Sequence, residues 1–391
     1  MSAASLRPYD AVELTRELVR CDTTNPPGNE APIIALLDAR LRAAGFETVV
    51  VPYPVGPNRT QLVARLRGSG ERPGLLFSGH VDVVPPGNVP WTVEPFGGEI
   101  RDGRLYGRGS CDMKGGVAAL VVAAAALARS GQALRGDLVV AVTADEERNC
   151  LGADALIEGE TELLSGLGAA LVAEPTSLSL FIAEKGALWV EVTLLGKTAH
   201  GSMPHLGANA IAGMADFLTR WEREFRTDEP SHPLLGTPTL TVGVIQGGVK
   251  ANVVPDRCTA ELDMRTVPPQ SHPEIFGRVR GVLDQVCAAR PGLRYEARML
   301  SDRPPVSCPA DSELARALAS AVTEVAGIDP SPKGVPYCTE ACVWVPHLGV
   351  AAVICGPGDP GMAHQPDEHV STEELENAAR VYLRTAESLL L

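Results

Sequence analysis

Acids and histidines that suit metal chemistry stand at the ends of apolar runs in this chain. In SGHVDVV, His80 and Asp82 are two positions apart, so on a strand their side chains leave the same face. That spacing lets the carboxylate hold one ring nitrogen of His80 while the other nitrogen binds a metal. Taken alone, an HxD is better explained by a structural histidine. LVVAVTADEE closes on Asp145, Glu146 and Glu147, although adjacent like charges repel and so apolar a strand should be buried. In extended chain Glu146 and Glu147 diverge, so one can face a metal while the other faces a substrate. Asp112 in GRGSCDMKGG, Glu174 in VAEPT and His364 in GMAHQPDEHV complete the set. Each has an ordinary reading: Asp112 as the N-cap of the next helix, Glu174 as a hydrated strand end, His364 as a loop residue. Together, two imidazoles and three carboxylates suit two divalent ions, zinc first and cobalt next. Two dications against Asp112, Glu147 and Glu174 leave one positive charge for a hydroxide to neutralise. A single zinc with the same ligands would be net negative and repel it.

The elements that must position these residues alternate in the first half of the chain. Ala11 to Arg20 and Ala31 to Ala44 have helical spacing, followed by the strand-like TVVVPYPV and LLFSGHVDVV. Met113 to Ser130 is Ala-rich and helical, and LVVAVTA and LGAALVAEP read as strands buried on both faces. Such alternation predicts a mostly parallel or mixed sheet flanked by helices, with its site at the carboxyl ends of the strands. From Ala187 the order becomes β-α-β-β-α-β, a ferredoxin-like unit inserted over 183–299. The expected organisation is a catalytic domain of 1–182 plus 300–391 and an inserted lid or dimerisation domain. Ser312 to Ala326 and Thr372 to Leu391 read as helices around the strand-like VAAVICG.

Composition narrows the function. The 391 residues carry 34 basic and 48 acidic side chains, a formal charge of −14. A polyanion such as nucleic acid is therefore not an expected partner. Val117 to Ala128, the longest apolar run, falls short of the roughly 20 residues that cross a bilayer. The N-terminus lacks the apolar core of a secretory signal, and the cysteines are scattered singly, so a cytoplasmic protein with reduced thiols is expected.

Read in order, GHVDVVP, YGRGSCDMKGG, TADEE, EPT, GKTAHGSMP, NVVPD and AHQPDE run the length of the chain. The sequence resembles the two-metal deacylases and exopeptidases that include acetylornithine deacetylase, succinyl-diaminopimelate desuccinylase, aminoacylase and glutamate-releasing carboxypeptidases. The resemblance implies that Asp112 bridges the metals, with His80 and Glu174 completing one site and Glu147 and His364 the other. Asp82 would orient His80, and Glu146 would be the general base toward a metal-bridging hydroxide. Asp145 would only shape the turn. His200, in GKTAHGSMP, would stabilise the tetrahedral oxyanion, from a partner subunit in dimeric members. Asn252 in ANVVPD and Arg265 in DMRTV fall where the family contacts the substrate carboxylate, a task suited to a guanidinium. An Arg paired within the sheet is the plainer reading. His205, His232, His272, His347 and His369 match no such position and are read as surface or loop residues.

PYCTEACVW, CGPG and AHQPDEH look most like acetylornithine deacetylase, so the expected reaction is Nα-acetylornithine to ornithine and acetate. Glu340 would then meet the substrate ammonium, or else serve a structural role. Lys185 in AEKGAL could meet an acyl carboxylate or be a strand-end lysine. HVDVVPPG is shared with the desuccinylases, which keeps those enzymes, aminoacylases and carboxypeptidases as alternatives. A catalytically silent ligand-binding relative would be expected to lack a ligand or the base, and none is missing here.

Overall fold

The computed structural model describes residues 10–159, 162–225 and 230–391. Two compact units emerge from its contacts: 1–182, 308–333 and 339–391 form the first, and 183–307 with 334–338 the second. The second reaches beyond the expected residue 299 because its last strand, Arg294–Arg303, stays paired with Gly186–Leu195 down to Arg303 opposite Ala187.

In the first unit the strands Gly74–His80, Leu138–Thr143 and Leu167–Val172 lie side by side and parallel, Gly74–His80 in the middle. Ala351–Ile354 extends this parallel block next to Leu167–Val172. On the other side Thr60–Leu66 and Glu47–Pro52 run antiparallel, so the sheet is mixed. All six residues of Leu138–Thr143 are buried, as the unbroken apolar run requires of a strand covered on both faces. Helix Gly115–Arg129 packs against Asp10–Val19 and the closing helix Thr372–Leu390. The Phe77 and Tyr382 rings meet there at 6.0 Å, and each such fully buried apolar side chain is worth about 1.5–3 kcal/mol. By length and composition alone Ser110–Arg129 could cross a membrane, but 89% of its 18-residue apolar window is buried inside the protein, as in a core helix.

Asp112 is not the N-cap of that helix. Its backbone is non-helical, the helix starts at Gly115, and no side chain caps it. A small sheet of Glu99–Arg101, Arg104–Tyr106 and His369–Ser371, unforeseen because its strands have three residues each, ties the His364 loop to the segment before Asp112.

The second unit has the antiparallel order Thr239–Gly247, Arg257–Thr266, Gly186–Leu195, Arg294–Arg303. Helices Ala210–Glu224 and His272–Ala289 cover one face, with Phe217, Trp221, Val279 and Leu283 packed on Val190, Val192, Ala260 and Leu262. This is the ferredoxin-like pattern. His272 is not a surface residue: it is buried, with Nε2 2.8 Å from Thr266 Oγ1 and Nδ1 2.6 Å from Asp302 Oδ1.

Candidate metal centre

Three adjacent parallel strands deliver their carboxyl ends to one edge of the sheet. His80 is the last residue of its strand, Asp145 to Glu147 follow Thr143, and Glu174 follows Val172. The acidic block is not extended, as the sequence reading assumed. Asp145 takes a left-handed conformation (φ 61°) and Glu146–Arg148 form one turn of 3-10 helix. That turn still separates the two glutamates: Glu146 Oε2 lies 3.8 Å from His80 Nε2, whereas Glu147 Oε2 lies 3.2 Å from His364 Nε2.

Asp112 stands between the two imidazoles. Its Oδ1 is 3.3 Å from His80 Nε2 and its Oδ2 is 3.4 Å from His364 Nε2. Glu174 Oε1 is 3.6 Å from His80 Nε2. His80, Glu146 and Glu174 form one set of possible ligands within 4.8 Å, and His80, Asp112 and Glu147 form another. His80 is fully buried, while the His364 side chain is 50% exposed, so the centre opens to solvent on that side.

Asp82 behaves differently from the simple expectation. The nearest partner of His80 Nδ1 is the Asp82 backbone carbonyl at 3.0 Å, with the carboxylate Oδ1 at 3.5 Å. The carboxylate accepts the backbone N–H groups of Glu146 (3.1 Å) and Glu147 (3.2 Å). Asp82 thus links the His80 strand end to the turn carrying both glutamates.

Electrostatics mark this as a place for cations. Burial pushes the Glu146 carboxyl well up, and the charges of Glu147 and Asp112 push the same way. Burial likewise raises Glu174, with Asp112 adding to it, and raises Glu147. Asp112 is equally buried, but hydrogen bonds from His364 and His80 hold it well below the usual carboxylate range. The same bonds from Asp112 and Glu147 lift His364 to about 10. Among the described residues no lysine or arginine is paired with Asp112, Glu146, Glu147 or Glu174. Four crowded carboxylates with two imidazoles and no fixed cation need positive charge from outside. Two divalent ions on either side of Asp112 fit that donor set.

The remaining expected residues are placed elsewhere. Glu340 is fully buried, its Oε2 accepting from Ser78 Oγ at 2.6 Å, and Ser78 in turn accepts from Trp344 Nε1 at 2.8 Å. This is the structural one of the two roles open to it, since the carboxylate is fully buried. In the second unit, Arg265 pairs with Asp263, two residues along the same strand, at 3.0 Å. Lys185 Nζ donates to the Thr237 carbonyl at 2.6 Å. Asn252 is exposed, and its carbonyl accepts from Gly201. His200 is exposed, and its Nδ1 accepts the Ser202 backbone N–H at 3.2 Å. The Ser202 hydroxyl lies 2.7 Å from the same nitrogen, so both local contacts use Nδ1 and, among the described residues, none engages Nε2.

Sequence reasoning missed three supports. Glu368 accepts the backbone N–H groups of Cys111 (2.9 Å) and Asp112 (3.0 Å), and also pairs with Arg108 at 2.5 Å. It fixes the backbone of Asp112 from the loop that carries His364. Asn25 holds the carboxylates of Asp82 and Asp145, and Arg59 holds that of Asp145. The acid in AHQPDE and the Asn-Pro-Pro of NPPGNE were visible, but a polar loop residue gives no sign of becoming buried.

Comparison with known proteins agrees with this geometry. A family model described as Peptidase family M20/M25/M40 matches residues 76–388. The chain is 36% identical over 380 residues to an acetylornithine deacetylase of Myxococcus xanthus, covering 94% of each. It is 31% identical over 395 residues to a probable succinyl-diaminopimelate desuccinylase of Staphylococcus epidermidis, covering 93% of this chain and 94% of that one. The fold is similar to a tripeptidase of Staphylococcus aureus (TM-score 0.77, 20% identity, 98% of each chain). It is also similar to a dinuclear metal-binding peptidase of Bacillus subtilis (TM-score 0.74, 16% identity, 97% of each chain). With the matched model spanning most of the chain and the acids and imidazoles gathered at one sheet edge, the protein belongs to peptidase family M20/M25/M40 and is a metal-dependent amide hydrolase.

Proposed function

We propose that the protein removes the acyl group from an N-acyl amino acid, with Nα-acetylornithine as the first candidate substrate and two zinc ions as cofactors. The observation that carries this reading is Asp112 between His80 and His364, with Glu174 on one side and Glu147 on the other. In it, His80, Asp112 and Glu174 would hold one ion, and Asp112, Glu147 and His364 the second. When bound, such ions polarise the scissile carbonyl and make water more acidic. Glu146 takes the proton of the attacking water on its carboxylate and passes it to the leaving nitrogen. Its burial, which favours the protonated form, suits a group that must return that proton. His200 Nε2–H would donate to the developing oxyanion.

A homodimer in the cytoplasm is part of the same proposal. The edge strand Thr239–Gly247 is exposed along nearly its whole length and shows Val242, Val244 and Ile245 to solvent, with Ile211 exposed on the neighbouring helix. An uncovered apolar edge invites another strand, and antiparallel pairing with its own copy is the occupant we assign.

The test is kcat/KM of the metal-loaded protein on Nα-acetylornithine, N-succinyl-diaminopimelate, other N-acyl amino acids and short peptides. A value above about 10⁴ M⁻¹s⁻¹ on acetylornithine alone supports the assignment. The similarity to a desuccinylase makes succinyl-diaminopimelate the second reading, and preference for it would replace the first. Hydrolysis of peptides alone would overturn both.

A further inference from the structure

We propose that Asn25 is a positioning residue of this reaction: its amide holds the Asp82 carboxylate and so sets both the His80 strand end and the Glu146–Glu147 turn. The proposal rests on the metal-dependent reading above.

Asn25 is 3% exposed, and its backbone N–H donates to the Val83 carbonyl at 2.8 Å. Thr23 Oγ1 donates to the Val81 carbonyl at 2.6 Å, so this segment is laced to the stretch running on from His80. The Asn25 side chain uses both amide hydrogens on carboxylates: Nδ2 lies 2.8 Å from Asp82 Oδ2 and 2.8 Å from Asp145 Oδ1. Ionised carboxylates only accept, so these partners fix which way the amide faces. Asp145 is pinned from the other side by Arg59 Nη1 at 2.9 Å and the Tyr53 hydroxyl at 2.7 Å. Arg59 is also clamped by Glu30 at 2.7 and 3.0 Å. Glu30, Asp82 and Asp145 are fully buried and Arg59 is 3% exposed.

The network contains one guanidinium against the carboxylates of Glu30, Asp145 and Asp82. Arg59 reaches the first two, and for Asp82 the neutral amide of Asn25 stands in the gap between two like charges. Among the described residues, Asp82 is also held by the N–H groups of Glu146 and Glu147, with His80 Nδ1 3.5 Å from its Oδ1. Removing the amide lets Asp82 and Asp145 repel each other across a buried space, and Asp82 can relax only by shifting His80 or the glutamate turn. Asp82 is the group directly behind the ligands, and losing the hold of such a group is typically worth about 10- to 100-fold in metal affinity or activity; Asn25 acts through it.

Asn25→Asp is nearly isosteric and discriminates between a packing role and a donor role. The measurements are the zinc dissociation constant by chelator competition, kcat and KM on the best substrate of the panel, and the unfolding midpoint in excess zinc. They compare the wild type, Asn25→Asp, Asn25→Ala and the double variant Asn25→Asp/Asp145→Asn. Both single variants should bind zinc about 10- to 100-fold more weakly and lose kcat, with KM little changed. The double variant removes one of the facing charges, so its midpoint should recover while its zinc affinity stays weak, because Asp82 still faces a carboxylate. If Asn25→Ala does not fold, the double variant carries the comparison. Wild-type zinc affinity and kcat in Asn25→Asp would overturn the proposal. So would recovery of midpoint and affinity together in the double variant, which marks a structural role alone. A wild type that binds no zinc would overturn the metal reading along with this one.

Discussion

At the scale of single residues, adjacency in sequence says little about division of labour. Glu146 and Glu147 are neighbours, yet one faces His80 and the other His364. If Glu146 moves the proton, Glu146→Gln should keep full metal content and lose at least about 100-fold in kcat. Metal analysis and turnover on one preparation check this, and a near-normal rate would remove Glu146 from the mechanism. Glu368 offers a test of stability. Glu368→Gln leaves the buried Arg108 without its counter-charge, and stranding a buried ion costs about 3–5 kcal/mol. Urea denaturation should show a loss of that order, with weaker metal retention because the Asp112 backbone loses its anchor. An unchanged midpoint would show that the pair is not holding the loops together.

At the scale of elements, site residues sit where helices come unusually close to strand ends. A Cβ on Gly116, in helix Gly115–Arg129, would lie 2.1 Å from the carbonyl oxygen of Ala173, the residue before Glu174. Gly116→Ala must therefore push the helix off that strand end. We expect it to cost about 1–3 kcal/mol and to lower metal affinity; thermal unfolding and chelator competition read the two effects, and wild-type values in both would refute it. In the second unit, burial lowers the His272 pKa, with the Asp302 carboxylate opposing. A folded pKa below the unfolded value of about 6.5 means that the fold favours the neutral ring. That stabilisation is complete above the unfolded value and is lost as pH falls through it toward the folded one. Amide protection factors in helix His272–Ala289, corrected for the slower intrinsic exchange at low pH, should fall between about pH 7 and 5 more in the wild type than in His272→Asn. Equal pH dependence in the two proteins would show that the ring does not titrate in this way.

At the scale of the whole molecule, the proposed dimer makes the shared-site idea testable. Ile245→Lys on the exposed edge strand should lower the sedimentation mass toward that of one chain. If His200 acts from the partner, mixing inactive Glu146→Ala and His200→Ala subunits should restore part of the activity. No recovery after demonstrated subunit exchange would mean that each chain uses its own histidine.

The sequence by itself determined the class of chemistry. His80, Asp112, Glu147, Glu174 and His364 stood out only as a set, through the ordered motifs that carry the family resemblance, and the fold gathers them at one sheet edge; the β-α-β-β-α-β pattern was legible because local periodicity makes it. Tertiary structure decided what depends on partners distant in the chain. It turned Asp145 from a turn residue into the centre of a buried network with Asn25, Tyr53 and Arg59. It buried Glu340 on Ser78, the structural side of its two readings, and buried His272 on Thr266 and Asp302. A polar side chain reads the same in sequence whether it meets water or another side chain. Only the fold selects, because the cost of burying it is repaid by hydrogen bonds that no local spacing contains.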